Sequence, residues 1–184
     1  MPSVRQLKRR IRSVENTAKI TKAMSMIAAS KMRRVQEAAL RGRPYSDNLS
    51  SLLANLSAQP HEDEDLHPLI RTREVNRVEL VLITPDRGLT GGLNSNLNRA
   101  AGQFMAPYDS RGSVIAVGKK GRDFMVRYGQ NVRAVFIDLG DRPAFTDVTP
   151  IARLVIEAYQ NEEVDVVHLA YARFVSTTVQ RPVV

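Results

Sequence analysis

The glycines of the stretch ITPDRGLTGGLN, at positions 83 to 94, have the clearest potential for chemistry. A glycine-rich turn between a strand and a helix often binds phosphate on free backbone N–H groups. A Walker-type loop needs a lysine followed by serine or threonine after its last glycine, but Leu93 and Asn94 stand there. The glycine spacing also fails to give the G-x-G-x-x-G dinucleotide fingerprint. We therefore expect a structural turn and no cofactor. Its residues are Asp86, Arg87, Gly88, Gly91 and Gly92.

The remaining candidates for catalysis are scattered. The turn GKKG at 118 to 121 carries two lysines, which we expect to be solvent-facing. Asp86 and Asp138 have no histidine or serine nucleophile beside them in a recognised arrangement, so they are interpreted as caps and ion-pair partners. His168 lies in an apolar strand, where packing is the simpler role. The chain has no cysteine and only three histidines, which disfavours redox control and metal binding. The sequence shows no recognised active site and predicts a protein that is not an enzyme. The alternative is a small Rossmann-type enzyme, which would need the completed phosphate fingerprint that is missing here.

The elements that position these residues begin with a long helix. No glycine or proline occurs from Ser3 to Arg41, and Ser3 with Gln6 fits a capping box. Apolar and small residues then alternate in 4-3 spacing, which predicts a coiled-coil seam on a helix roughly 60 Å long. Because small side chains fill its middle, we expect that part of the seam to be the weakest. The seam residues are Val4, Leu7, Ile11, Val14, Ala18, Thr21, Ser25, Ala28, Met32, Val35 and Ala39.

Charge is concentrated on the same segment. Residues 1 to 44 contain twelve Lys or Arg and two Glu, a net charge of 12 − 2 = +10, whereas the remainder has 15 − 17 = −2. Basic residues recur at multiples of seven along one flank of the seam, and apolar residues lie outside the seam on the other side. We expect an acidic, encircling partner. The basic flank is Arg5, Arg12, Lys19 and Arg33, and the extra apolar residues are Met24, Met26 and Ile27.

Composition and breaker residues divide the chain into three predicted segments. Residues 1–58 are predicted to be the long helix, broken or kinked at Gly42 and Pro44, with a further helical stretch at 45–56. Residues 59–76 include the polar, acidic run QPHEDEDLHP and are predicted to be a linker. Residues 77–184 are predicted to form the second domain. No run of about 18 apolar residues and no signal-peptide core occur, so we expect a cytoplasmic protein without a membrane span.

In residues 77–184, β-rich runs alternate with helical ones. Strands are predicted at 78–84, 113–118, 132–138 and 164–175, and helices at 94–105, 119–129 and 148–161; the last residues, 179–184, fit a returning hairpin strand. Alternation of this kind predicts a mostly parallel sheet of about five strands with helices on both faces. The fold class is therefore α/β: a long N-terminal coiled-coil helix plus a Rossmann-like domain that binds no nucleotide.

Two stretches carry a family resemblance: NTAKITKAMSMIAASKMRR at 16–34 and TPDRGLTGGLN at 84–94. Both closely resemble signature segments of the gamma subunits of F-type ATP synthases. The likeness continues in RPYSDNL at 43–49, VIAVGKKG at 114–121 and FVSTTVQRPVV at 174–184, so it covers essentially the whole chain. It implies a central-stalk rotor subunit that performs no bond chemistry and couples proton translocation to ATP synthesis or hydrolysis at the beta subunits.

The resemblance also implies partners and contact residues. Partners would be the alpha and beta subunits, the epsilon subunit and the c-subunit ring, with peripheral association at the cytoplasmic face of the cell (inner) membrane. Met24 occupies the family position near the acidic lever segment of the beta subunits. The complementary charge would come from Lys19, Lys22, Lys31, Arg33 and Arg34.

Family members pair the N-terminal helix with a long C-terminal helix, and no such helix follows Val184 in this sequence. We therefore expect the chain to self-associate through its N-terminal helices or to let that helix fray. From the residues alone, the main alternative is a basic coiled-coil protein that binds nucleic acid. In such proteins the basic block precedes the seam, whereas here it runs beside the seam, and few aromatic residues are available to stack on bases. We expect no nucleic-acid partner.

Overall fold

A computed structural model describes residues 3–58, 67–71 and 73–184. The chain divides into two compact units, Met1–Pro60 and His61–Val184. Of the predicted linker, residues 59–76, the structure does not describe 59–66 and 72. Within the described ranges, no helix combines the length and the apolar character needed to cross a membrane.

The first unit is one helix, α1 (Val4–Ser57). Its N-terminus has the predicted capping box: the Gln6 backbone N–H donates to Ser3 Oγ over 3.3 Å, and the Ser3 N–H donates to Gln6 Oε1 over 3.0 Å. Together the two bonds satisfy backbone donors that have no partner in the first turn.

Of the two outcomes predicted at Gly42 and Pro44, a break or a kink, the break is wrong, because α1 runs through both residues and includes the further helical stretch at 45–56. Proline costs a helix roughly 3 kcal/mol through a lost hydrogen bond and a steric clash. Its fixed φ of about −65° nevertheless lies within the helical range, so the chain can keep its direction. The Ala38–Arg41 run before it consists of strong helix formers, and these offset part of the cost.

The second unit is a five-stranded sheet with helices on both faces, as predicted. The strands lie in the order β3-β2-β1-β4-β5, and all neighbours are parallel except the β4–β5 hairpin. The elements are β1 (Val78–Ile83), α2 (Leu93–Met105), β2 (Gly112–Val117), α3 (Lys119–Arg127), β3 (Val132–Phe136), α4 (Phe145–Gln160), β4 (Val166–Phe174) and β5 (Gln180–Val183). A short 3-10 turn, Asp109–Arg111, precedes β2.

Two apolar clusters form the core, one on each face of the sheet. Leu80 and Leu82 of β1 pack against α2 and α3, whereas Val81 packs against α4. Successive side chains of a strand point to opposite faces, so β1 is covered on both sides and must be apolar almost throughout. Its near-continuous apolar run is therefore a consequence of its central place in a parallel sheet.

Helix α4 begins at Phe145, three residues before the predicted start. The Asp147 carboxylate accepts the Ala144 backbone N–H over 2.7 Å and so caps the earlier turn. Pro150 lies inside the helix, as Pro44 does in α1. A carboxylate near a helix N-terminus is favourable because it complements the helix dipole.

The end of the predicted linker is bound to the sheet domain. The Arg73 guanidinium donates to the Tyr159 carbonyl oxygen over 2.9 Å and lies 4.3 Å above the Tyr159 ring centroid. Asp165 Oδ2 accepts the backbone N–H groups of Asn76 and Arg77 over 2.9 and 2.7 Å. The Arg77 N–H, more than that of Asn76, lowers the pKa of the Asp165 carboxyl. Residues 73–76 are thus part of the domain edge.

Candidate functional site

The surface of α1 carries all the predicted seam residues, and none of its residues is buried. Leu7 and Met32 are the most covered of the large seam side chains, yet 45% and 42% of each remains exposed. A 4-3 apolar spacing on one helix forms a continuous strip along it. The structure therefore places the seam as one exposed apolar strip on α1.

The middle of the strip is a shallow groove. Val14, Ala18 and Ser25 line it together with Thr17 and Thr21. The Thr17 hydroxyl donates to the Ser13 carbonyl over 2.9 Å, and the Thr21 hydroxyl donates to the Thr17 carbonyl over 2.8 Å. Because these hydroxyls bond within the helix, the threonines present their methyl groups outward. The groove thus combines small size with a mainly apolar surface, so another backbone can approach it closely.

The basic flank is exposed on the same helix. Arg5, Arg12 and Lys19 are solvent-facing, and so is Arg33. The Arg33 Nε lies 3.3 Å from Glu37 Oε1, but 86% of the Arg33 side chain is exposed. A pair of this kind contributes at most about 1 kcal/mol, so Arg33 can exchange Glu37 for another carboxylate at little cost.

The other predicted contact residues lie on α1 as well. Met24, Met26 and Ile27 are more than half exposed, and Lys22, Lys31 and Arg34 are exposed too. Thioether side chains are flexible and adapt to varied apolar surfaces. The helix therefore presents basic groups as far as Arg43 and apolar groups beyond it.

In the second unit, Asp86 binds two loops that follow neighbouring strands. Its Oδ1 accepts the Lys119 backbone N–H over 2.8 Å, and its Oδ2 accepts the Asp138 backbone N–H over 2.9 Å. The Lys119 ammonium lies 2.7 Å from Asp138 Oδ1. One carboxylate thus joins the segments after β1, β2 and β3, where the carboxyl ends of parallel strands meet. Asp86 acts as a structural clamp.

Thr84 completes the same corner and was overlooked in the sequence. Its Oγ1 accepts the Gly121 N–H over 2.8 Å, while its backbone N–H donates to the Val117 carbonyl over 2.7 Å. Asp86 and Thr84 therefore occupy two backbone donors in the first turn of α3, which a phosphate would otherwise use. This occupation favours the structural interpretation of the GKKG turn. A threonine at the end of a buried strand was the available signal.

The remaining residues of the glycine-rich turn shape the start of α2. The Asn94 amide donates to Thr90 Oγ1 over 2.9 Å and to the Arg87 carbonyl over 3.4 Å. Leu89 and Gly91 both have positive φ, 61° and 58°, and Leu89 is 97% exposed. A Cβ at Gly88 would make an ordinary contact with Lys120 Cε at 3.9 Å, whereas a Cβ at Gly92 would lie only 3.2 Å from Asn96 Nδ2, a tight contact. The turn is compact and held by its own side chains.

Two further charged or aromatic residues belong to the packing of this unit. The ring of His168 on β4 lies 4.8 Å from that of Phe104, at an interplanar angle of 58°, which is an ordinary tilted contact. Glu79, which sequence analysis overlooked, is completely buried on β1. The signal for it was a lone acidic residue in an apolar strand.

Comparison with known proteins relates both units of the chain to one family. The family described as ATP synthase matches residues 3–184. The ATP synthase gamma chain of Dehalococcoides mccartyi is 50% identical over 183 residues, which cover 100% of this chain and 64% of that protein. The gamma chain of Herpetosiphon aurantiacus is 49% identical, over 99% of this chain and 65% of that protein. This chain thus spans just under two thirds of the length of these relatives.

Solved structures give the same result. The central stalk and c-ring structure of the Tetrahymena thermophila mitochondrial ATP synthase contains a chain that superposes with a TM-score of 0.72. Sequence identity is 26%, and the match covers 89% of this chain and 69% of that one. A rotor chain of the Euglena gracilis mitochondrial ATP synthase, 21% identical with a TM-score of 0.63, shares the fold. With a family match across residues 3–184 and about half of its residues identical to those of bacterial gamma chains, this chain belongs to the ATP synthase gamma-chain family.

Proposed function

We propose that this chain is a central-stalk rotor subunit of an F-type ATP synthase, and that it couples proton translocation through the c-subunit ring to ATP synthesis or hydrolysis at the beta subunits. The observation that carries the proposal is the apolar strip on α1, which is exposed from Val4 to Ala39 of the helix. An exposed apolar strip of that length requires a partner helix, and the gamma-chain family supplies one beyond the part matched here.

Each surface of α1 has a role in this proposal. The seam pairs with a second shaft helix, and the basic flank faces acidic groups of the surrounding alpha and beta subunits. Met24 lies against the acidic lever segment of a beta subunit, with charge supplied by Lys19, Lys22 and Arg34. Exposed charge pairs are individually weak, which suits contacts that must form and break during rotation.

The sheet domain is proposed to bind the epsilon subunit and the c-subunit ring at the cytoplasmic face of the membrane. It performs no bond chemistry in this proposal: Asp86 and Thr84 are engaged in holding loops, as their hydrogen bonds indicate. Chemistry then belongs to the beta subunits. The chain would then connect the c-subunit ring mechanically to the beta subunits.

Reconstitution tests the rotor role. A chimera would join this chain at Val184 to the part of the Dehalococcoides mccartyi gamma chain that it does not cover, and would be added to that organism's alpha and beta subunits. We expect ATP hydrolysis to be stimulated several-fold. Failure of a folded chimera to stimulate hydrolysis would contradict the proposed function.

Substitution of Met24 tests where the coupling contact lies. We expect Met24→Lys to lower proton pumping per ATP hydrolysed in the reconstituted, membrane-bound complex, because an ammonium group at this position would bind the acidic lever segment too tightly to slide along it. Val126→Lys on α3, a change at a side chain that is 60% exposed, is the matched control and should pump normally. Unchanged coupling in Met24→Lys would show that the contact lies elsewhere.

A further inference from the structure

Glu79 is a charged side chain in the middle of the apolar sheet. It is the second residue of β1, opposite Ser113 on β2 and Val167 on β4, and it has no exposed surface. Alternation along β1 puts Glu79 on the same face as Val81, the face covered by α4. A buried carboxylate is costly unless it is paired and hydrogen-bonded.

Among the residues that the structure describes, donors reach only one of its two oxygens. Glu79 Oε1 accepts from the Ser113 hydroxyl and from Arg133 Nη1, each over 3.2 Å. Glu79 Oε2 is buried and has no hydrogen-bond partner within the described ranges 3–58, 67–71 and 73–184. An ionised carboxylate would leave that oxygen uncompensated, whereas a protonated one carries no net charge to bury.

The guanidinium that serves Glu79 is shared. Arg133 lies on β3, and its Nη2 is 2.9 Å from Glu163 Oε2, closer than the 3.2 Å that separates Nη1 from Glu79. Glu163 lies in the connection between α4 and β4 and is half exposed. Two carboxylates therefore compete for one cation: with both ionised the cluster has a net charge of −1, and one proton makes it neutral.

The other charged groups near this end of the sheet have partners of their own. Arg77 and Asp165 interact with each other, and Arg73 approaches Glu162 at 3.9 Å. The residues of α4 that pack on this face of the sheet are apolar. Among the described residues, Arg133 and Glu163 are thus the charged groups that face Glu79, as Ser113 is the polar one.

Burial raises the pKa of the Glu79 carboxyl above its ordinary value, and Glu163 adds to the rise, while Arg133 and Ser113 oppose it. The folded domain therefore keeps a proton at pH values where the unfolded chain has released it. Stability from this group is fully present below the ordinary glutamate pKa and is lost as pH rises through the folded-state pKa.

We propose that Glu79, Arg133 and Glu163 form a proton-linked switch that sets how firmly the α4–β4 connection is held against β3. With Glu79 protonated, Arg133 binds Glu163 without competition. With Glu79 ionised, the guanidinium is shared between two carboxylates and the connection is held less firmly. Protonation of Glu79 therefore tightens this edge of the domain and its ionisation loosens it, whether or not the chain acts as a rotor.

Carbon-13 NMR titration of the Glu79 carboxyl in the whole chain tests the first step. We expect a midpoint above the ordinary glutamate value of about 4.3. Glu163→Gln removes the competing negative charge and should lower that midpoint. Glu162→Gln, one residue away on a carboxylate that approaches Arg73 instead, is the matched control and should shift it less. A midpoint at or below the ordinary value, or equal shifts in the two variants, would overturn the proposal.

Hydrogen exchange tests the second step. The Glu163 backbone N–H donates to the Ala158 carbonyl over 2.9 Å and reports opening of the connection. The ratio of its exchange rates in the unaltered chain and in Glu79→Gln cancels the intrinsic effect of pH. We expect that ratio to rise several-fold as Glu79 ionises. A ratio that stays constant through the titration would contradict the switch, and if Glu79→Gln does not fold, Glu163→Gln serves as the reference chain.

Discussion

Gly118 joins β2 to α3 with a φ of +107°, a conformation that residues with a side chain rarely adopt. A Cβ at this position would lie 1.9 Å from the Thr84 carbonyl oxygen, which belongs to the backbone and cannot move aside. The glycine is needed because the two chain segments approach so closely at the corner that Thr84 and Asp86 hold together.

We expect Gly118→Ala to destabilise the second unit by more than about 4 kcal/mol or to prevent it from folding. Gly129→Ala is the matched control, because Gly129 also has positive φ, +69°, but has open space where a Cβ would lie. Strain alone should cost the control about 1–2 kcal/mol. Urea unfolding followed by circular dichroism measures both, and equal losses would show that the close approach to Thr84 is unimportant.

Asp86 gives a second prediction at the residue scale. Asp86→Asn replaces one acceptor oxygen with an NH2 group, which would then face a backbone N–H donor of Lys119 or Asp138. We expect a loss of about 1–3 kcal/mol in the free energy of unfolding. Asp123→Asn, at a half-exposed carboxylate paired with its neighbour Arg122, should change it by less than about 0.5 kcal/mol. Similar values for the two variants would contradict the clamp.

Sequence analysis identified Asp86 as a cap but not what it binds. Its partners Lys119 and Asp138 lie 33 and 52 residues further along the chain, so no local pattern links them to it. They meet because the carboxyl ends of neighbouring parallel strands share one edge of the sheet. The pairing of Glu79 with Arg133 could not be predicted for the same reason, since it depends on the strand order β3-β2-β1.

At the scale of elements, the periodicity of apolar residues was sufficient to predict the strands and helices of the sheet domain. Each predicted strand and helix of residues 77–184 is present, because β1 is apolar except at Glu79 and the helices between the strands have one apolar face. The errors concern helix ends and prolines. Local propensity treats Pro44 as a break, whereas α1 continues through it; the φ of proline suits a helix, and the strong helix formers Ala38–Arg41 precede it.

The exposed seam predicts self-association of the chain as it stands. Fully burying an apolar side chain contributes about 1.5–3 kcal/mol, so pairing two copies of α1 through Leu7, Ile11 and Val14 would recover several kcal/mol. We expect sedimentation velocity to show an oligomer at micromolar concentration. Ile11→Lys should shift it towards monomer, while Ile20→Lys, at a side chain of similar exposure outside the seam, should not. A monomer whose α1 amides resist hydrogen exchange would refute both association and fraying.

For the whole molecule, the distribution of charge matters more than its sum. The net charge of +8 divides into +10 on residues 1 to 44 and −2 on the rest, so α1 carries the basic surface and the sheet domain does not. Electrostatic attraction over exposed charges mainly steers association and is screened by salt. The basic flank should therefore dominate the approach to an acidic partner.

We expect binding of the chain to alpha and beta subunits to weaken as salt rises, and the double variant Lys19→Glu with Arg33→Glu to bind about tenfold more weakly, since each exposed pair contributes up to about 1 kcal/mol. Arg111→Glu with Arg127→Glu removes the same charge from the sheet domain and should bind normally. Fluorescence anisotropy at several salt concentrations measures both. Equal weakening would assign the effect to net charge alone. If the chain instead binds duplex DNA at moderate salt, with affinity falling steeply as salt increases, the basic flank serves nucleic acid and not a protein ring.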